Sequence, residues 1–312
     1  MAAATPTVGW IGTGRMGYQL VLRLLSVGYD VAAWNRTKAK AEPLAEHGAE
    51  IVDSPADLVD CDIVFIMVSA DKDLESVISG PGGLLSGGGA PKIVVDSSTV
   101  STEASARIRA VVEGRGAQFL AAPVSGNPKV IAAGKLTVVA SGPREAFEVV
   151  APLLGAWGRG VTYVGEGEVA RLVKIAHNVF LGVVIQSLAE ITVLVERGGV
   201  SRAAFLEFLN ESVLGSVFSR YKSPALVNLN FHPTFTNVQL RKDLQLGLSA
   251  GQDLGVPMPL AAATDMLIAE AIGAGYTDED FATLILEQAR RSGYAIEPED
   301  TPVDDGLAPE EA

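Results

Sequence analysis

Lys174 and Asn178 stand four residues apart in a stretch, 169–195, that otherwise reads as a long apolar helix. Four residues is just over one helical turn, so both side chains leave the same face. A lysine in such a setting is usually paired or used. A solvated lysine titrates near ~10.4, and desolvation lowers that toward neutrality. It then becomes a usable proton donor and acceptor beside a hydrogen-bonding amide. The plainer reading is a lysine that snorkels from an amphipathic helix to solvent. Spacing alone does not separate the two.

A second group of residues points to a phosphate. Gly12, Gly14 and Gly17 have the G-x-G-x-x-G spacing, with Arg15 and Met16 inside the loop. An apolar strand precedes them and a helix follows. Gly12 permits a tight turn, Gly14 lets a pyrophosphate approach the backbone, and Gly17 permits close helix–sheet packing. The end of the next strand reads Trp34-Asn35-Arg36-Thr37-Lys38 and has no carboxylate for ribose hydroxyls. Arg36 can pair with a 2′-phosphate, with Asn35, Thr37 and Lys38 as polar support. NADP is therefore expected over NAD. The alternative is that Arg36 and Lys38 are ordinary surface charges at a helix start. Met67 and Val68 close an apolar strand and flank the cofactor by the rule that ligands bind at strand carboxyl ends.

These residues need elements to hold them. Strands are expected at 7–11, 30–34, around 51, 63–68, 93–95, 118–121 and 136–140. Helices are expected at 16–26 and 38–47, with another beginning at the capping residue Ser101. Strands alternating with helices imply a parallel sheet covered on both faces. Beyond 167 the pattern is helical only: the long helix from 168, then 202–210, 238–254, 259–274 and 278–292. The expected organisation is an α/β, Rossmann-like doubly wound domain (1–166) and an all-α substrate and oligomerisation domain (167–295), joined by the long helix. An acidic, proline-containing tail (296–312) reads as disordered.

Composition narrows the functions. The chain has 312 residues, 48% hydrophobic, and a net charge of -13. An acidic chain is a poor partner for nucleic acid or an anionic membrane. The apolar run 179–195 is interrupted by Gln186, Ser187, Glu190 and Thr192, so a buried helix is favoured over a membrane span. The start lacks the pattern of a signal peptide. One cysteine, Cys61, fits a reducing compartment and reads as a structural thiol. With three scattered histidines, no metal site is expected. The expectation is a cytoplasmic protein with a small acidic substrate.

Gly12-Thr-Gly-Arg-Met-Gly17 resembles the N-terminal fingerprint of the β-hydroxyacid dehydrogenases. This is the 3-hydroxyisobutyrate dehydrogenase family, which includes tartronate-semialdehyde and glyoxylate/succinic-semialdehyde reductases. Further segments match in order: Asp96-Ser-Ser-Thr99, Ala122-Pro-Val-Ser-Gly126 with Ala133-Gly134-Lys-Leu136, Lys174-Ile-Ala-His-Asn178, and Lys242-Asp243-Leu244. The resemblance implies reversible hydride transfer between nicotinamide and the carbon bearing the hydroxyl of a β-hydroxyacid. It makes Lys174 the general acid/base, with Asn178 holding the substrate or the lysine. It makes Ser125 and Gly126 the substrate-carboxylate loop and Thr99 a cofactor-side hydroxyl. Lys242 then approaches the nicotinamide side of the cleft, touching cofactor and substrate. A homodimer or homotetramer follows by the same analogy.

The chain also departs from that pattern. Asn127 stands where the family's substrate loop usually has a second glycine, adding an amide to the pocket. Glu168 and Ala170 replace a Gly-x-Gly, and Arg171 beside them reads as a helix-surface arginine or a contact for a substrate acid. His177 replaces the first of two asparagines, as in 6-phosphogluconate dehydrogenases. Those carry a glutamate where this chain has Leu181. Two competing readings remain: a reductase of imines or bulkier ketones, and a dinucleotide-binding protein without catalysis, as in chromatin-associated relatives that have lost the lysine. Lys174 opposes both.

Overall fold

Ile63 and Phe65 enter one hydrophobic core, and Val64 and Ile66 enter another. Side chains alternate across a strand, so a run buried at every position must have both faces covered. The neighbouring strands follow the same division: Val8 and Trp10 against Ile11, Ile93 and Val95 against Val94. The computed structural model describes residues 5–307 and divides into two compact units, Met1–Lys174 and Ile175–Ala312.

The first unit contains β1 (Val8–Ile11), α1 (Arg15–Ser26), β2 (Val31–Trp34), β3 (Glu50–Ile51), β4 (Ile63–Ile66), α2 (Asp71–Ser79), β5 (Ile93–Asp96), α3 (Thr102–Glu113) and β6 (Gln118–Ala121). Its six strands form a sheet ordered β3-β2-β1-β4-β5-β6, parallel throughout. Leu20, Val21 and Leu24 of α1 cover one face, while Leu74 and Ile78 of α2 and Ile108 and Val112 of α3 cover the other. This is the doubly wound architecture expected from the sequence. The strand order reverses between β1 and β4, and that switch point is where such sheets bind ligands.

Two local expectations are corrected. Residues 38–47 form two short 3-10 turns, Lys38–Lys40 and Glu42–His47, not an α-helix. Pro43, at the start of the second turn, cannot continue a helix that precedes it. The segment Leu136–Ala140 does not extend the main sheet. It is β8 of a separate three-stranded sheet, between β7 (Val124–Ser125) and β9 (Gly158–Tyr163). The short helix α4 (Pro128–Ala132) links β7 to β8, and α5 (Arg144–Gly155) links β8 to β9.

The helix α6 (Val169–Arg197) begins in the first unit and continues into the second. It is long and apolar enough to cross a membrane by length and composition, yet half of its most apolar window is buried within the protein. Around it come α7 (Arg202–Glu211), α8 (Val217–Asn228), α9 (Asn237–Asp253), α10 (Pro259–Gly273) and α11 (Leu284–Arg291). Ile185, Ala189 and Val193 of α6 join Leu206, Leu226, Leu240, Leu244 and Ile268 in the core of this unit. The described part of the acidic tail, 296–307, makes contacts with the start of α7. The Glu299 carboxylate accepts hydrogen bonds from the backbone N–H groups of Arg202 and Ala203, the first turn of α7. A carboxylate at a helix N-terminus is a favourable contact. Residues 308–312 lie outside the described part.

Candidate active site

Each glycine of the 12–17 loop has its own physical reason. Gly12 has φ +99°, and a Cβ there would lie 2.2 Å from the Met67 carbonyl oxygen. A Cβ on Gly17 would lie 2.0 Å from the Gly12 carbonyl oxygen. Both are therefore required by the protein's own packing at the β1–β4 switch point. Gly14 differs: a Cβ there would meet no atom of the described residues within 4 Å. It is also the N-cap of α1 and supplies no side-chain hydrogen bond. The result is an open, uncapped helix N-terminus whose N–H groups suit an anion. The buried Thr13 Oγ1 beside it has no hydrogen-bond partner among the described residues. These residues fit a dinucleotide pyrophosphate.

At the end of β2, Asn35 braces the loop. Its Oδ1 accepts the Thr13 N–H at 2.9 Å, and its Nδ2 donates to the Thr37 carbonyl at 2.9 Å. Both ends of the amide are thus engaged within the protein. The cations expected to receive a 2′-phosphate are engaged too. Arg36 Nη1 lies 3.0 Å from Asp73 Oδ1, and Lys38 Nζ lies 2.5 Å from Asp53 Oδ1. The Lys38 hydrogen bond and charge hold the exposed Asp53 carboxyl below its ordinary pKa. Sequence reading found the basic residues and missed their acidic partners.

Arg171 corrects the sequence reading most sharply. It is neither on the helix surface nor placed to meet a substrate acid: it is 1% exposed. Its Nη2 donates to Asp96 Oδ2 at 2.5 Å, its Nη1 to the Ser98 carbonyl at 2.6 Å, and its Nε to Ser105 Oγ at 3.0 Å. The other oxygen of Asp96 accepts from Ser98 N and Ser98 Oγ, and Ser98 Oγ accepts from Val68 N. One connected network therefore joins the carboxyl ends of β4 and β5 to the first turns of α6. Glu168 strengthens it by accepting from Arg109 Nε at 2.5 Å and from Ser105 Oγ. Thr99 follows this network directly in the chain. Ser101 caps α3 by accepting the Ala104 N–H, as expected.

Lys174 comes one turn after Arg171 and is buried, at 8% exposure. It closes the first unit, the same unit that holds the 12–17 loop and Ser125. Asn178, the next turn along α6, belongs to the second unit and is also buried. There α9 approaches α6 closely at Gly247, where a Cβ would lie 2.1 Å from Val179 Cγ2. Asp243 sits one turn before Gly247, and its Oδ2 accepts from Asn178 Nδ2 at 2.6 Å. Asn178 Oδ1 lies 3.0 Å from His177 Nδ1. The amide is thus oriented at both ends. Lys242, half-exposed, places its Nζ 3.2 Å from Asp243 Oδ1, although that buried oxygen has no hydrogen bond of good geometry. Asp243 was visible in the sequence only as part of a matching segment. The signal that assigns it is its contact with Asn178.

The predicted substrate loop lies in the small sheet. Ser125 ends β7, and its backbone pairs with Thr137 of β8. Gly126 has φ +143°, and a Cβ there would press on Leu136 and Val130. Asn127 does not simply add an amide to a pocket. Its Oδ1 caps α4, accepting the Val130 N–H at 3.0 Å, while its buried Nδ2 has no hydrogen-bond partner among the described residues. Elsewhere, burial pushes the Cys61 thiol up to about 11, which suits a structural residue. Among the described residues, no group of three His, Cys, Asp or Glu side chains could hold a metal ion.

The chain is similar to known proteins along most of its length. Residues 7–165 match the model of the NAD binding domain of 6-phosphogluconate dehydrogenase. Residues 165–287 match that described as the NAD-binding of NADP-dependent 3-hydroxyisobutyrate dehydrogenase. Glyoxylate/succinic semialdehyde reductase 1 of Arabidopsis thaliana is 32% identical over 89% of this chain and 96% of its own length. The cytokine-like nuclear factor N-PAC of Gallus gallus is 34% identical over 90% of this chain, and the chain spans about half the length of that relative, 51%. The crystal structure of 3-hydroxyisobutyrate dehydrogenase from Salmonella typhimurium superposes with a TM-score of 0.80 at 26% identity, covering 90% of this chain and 99% of that one. The chain belongs to the β-hydroxyacid dehydrogenase family, a family of NAD(P)-dependent hydroxyacid dehydrogenases and reductases.

Proposed function

We propose that the chain is an NADP-dependent oxidoreductase that moves a hydride between nicotinamide and the hydroxyl-bearing carbon of a small β-hydroxyacid or its semialdehyde. The observation that carries this reading is the buried Lys174 on a helix whose start is fixed to the sheet by Arg171. The bound nicotinamide supplies or accepts the hydride. In reduction the Lys174 ammonium donates its proton to the oxygen that becomes the hydroxyl, stabilising negative charge as it develops. In oxidation the neutral amine takes that proton back. Asn178, oriented by His177 and Asp243, offers a fixed amide to the substrate or to Lys174. Ser125 and the N–H groups after it suit the substrate carboxylate.

The open backbone at Gly14 supports a pyrophosphate, and Arg36 supports a 2′-phosphate. The reductases among the relatives suggest glyoxylate and succinic semialdehyde as first substrates. The test is an NADPH-oxidation screen over glyoxylate and the succinic, tartronate and methylmalonate semialdehydes. Turnover of at least one of these acids is expected. Turnover only of imines or bulky ketones would replace this reading. NADPH binding without turnover on any of them would favour a non-catalytic dinucleotide-binding protein. We also propose a cytoplasmic homodimer or homotetramer. Exposed Phe180, Leu194, Phe208, Leu260 and Met266 on the helical unit support self-association, which sedimentation velocity tests.

A further inference from the structure

We propose that Asp73 sets the chain's dinucleotide specificity. Its carboxylate, brought from α2 to the end of β2, opposes a 2′-phosphate and supplies the acceptor for ribose hydroxyls that β2 itself lacks. The proposal rests on the reading of Arg36 as the 2′-phosphate partner.

NAD-binding sheets of this type end their second strand with an acidic residue that accepts from the ribose hydroxyls. Here that place reads Asn35-Arg36-Thr37, with no acid. The acid arrives from another element. Asp73, in the first turn of α2, places Oδ1 3.0 Å from Arg36 Nη1. Arg36 directly follows Asn35, whose side chain holds the Thr13 N–H of the glycine loop. The Arg36–Asp73 pair therefore stands beside the phosphate-binding loop and not on an unrelated surface.

The two partners differ in exposure. The Arg36 side chain is 81% exposed and that of Asp73 only 17%. Asp71, two residues earlier, accepts the Ser101 N–H at 3.0 Å and the Ser101 hydroxyl at 2.6 Å. This braces the first turn of α2 against the start of α3. Asp73 is thus a fixed negative charge, while Arg36 can turn. One carboxylate occupies one of the five guanidinium donors, so Arg36 retains capacity for a phosphate. A phosphate monoester carries about -1.5 to -2 charges near neutral pH. It competes with Asp73 for Arg36 and is repelled by it. Lys38 adds no uncompensated charge, because it is paired with Asp53.

The test is direct binding of NADPH and NADH to the full chain, by calorimetry, for the parent, Asp73→Asn and Arg36→Ala. The readout is the ratio of the NADH Kd to the NADPH Kd. Asp73→Asn removes the charge and keeps the shape. It should raise the ratio by about three- to tenfold at low salt, and by less at high salt, as for partly exposed charges. An unchanged ratio, or a lower one, overturns the proposal; the lower one would mean that Asp73 orders Arg36 for the phosphate. Arg36→Ala tests the underlying reading separately. The ratio should fall by about tenfold or more, and no change would remove Arg36 as the phosphate partner. Matching thermal unfolding midpoints exclude misfolding of either variant.

Discussion

Asp96 and Asp243 are both buried carboxylates in contact with α6, and the protein treats them in opposite ways. Asp96 is saturated: one oxygen accepts from Ser98 twice and the other from Arg171. Asp243 is not. One oxygen holds Asn178, and the other faces the half-exposed Lys242 ammonium without a well-formed hydrogen bond. A saturated buried ion pair is framework, because breaking it leaves an uncompensated charge. A buried carboxylate with bonding capacity left over can respond when another group arrives. The first fixes where Lys174 stands, and the second orients its neighbour.

Substitution separates the two. Asp96→Asn removes the carboxylate that Arg171 bonds, leaving Glu168 Oε2, 3.9 Å from its Nε, as the remaining counter-charge, and should cost about 3 kcal/mol of stability in urea unfolding. A loss near ~1 kcal/mol would mean the pair is not framework. Asp243→Asn keeps an acceptor for Asn178, so stability should change by only about 1 kcal/mol. Its kcat/KM on a turned-over semialdehyde should fall about a hundredfold, or ~2.7 kcal/mol of transition-state stabilisation. An active variant would remove Asp243 from the site.

The glycines extend the contrast between framework and function. Gly247→Ala drives a methyl into Val179 and should cost about 1–3 kcal/mol, read from the unfolding midpoint. Gly14→Ala meets no atom within 4 Å among the described residues. Its stability should hold within ~0.5 kcal/mol, while the NADPH Kd rises about tenfold. If Gly14→Ala binds NADPH normally, the pyrophosphate does not sit where the loop leaves room.

A separate effect concerns acid. Burial pushes the Asp280 carboxyl up, but the Lys222 ammonium and hydrogen bonds from Lys222, Thr234 and Ala282 outweigh it, so its pKa is lowered on folding. Such a group contributes stability above its unfolded value of about 3.9, and the contribution is lost as pH falls through the lower folded value. Stability below about pH 4 should therefore decline less steeply in Asp280→Asn than in the parent. Equal acid limbs would show that Asp280 is not the group titrating.

The sequence announced what local pattern controls. The glycine loop, the main-sheet strands and the Ser101 cap lie within a few residues of their causes. The helix α8 escaped notice because its serines and internal Pro224 mask the helical period. The second sheet was hidden because β8 reads like any buried strand, and only its partners reveal where it pairs. Arg171 was misread because Asp96 lies 75 residues away. Asp73 and Asp243 went unassigned for the same reason: their partners lie 37 and 65 residues away. Charge alone says nothing about which opposite charge the fold will deliver.

The central claim is that Lys174 carries the proton. The direct measurement is single-turnover NADPH oxidation by Lys174→Ala with a saturating semialdehyde, alongside the NADPH Kd of the same preparation. The account predicts a rate lower by about 10²–10⁴-fold with the NADPH Kd unchanged. A variant that binds NADPH and turns over at the parent rate would contradict it.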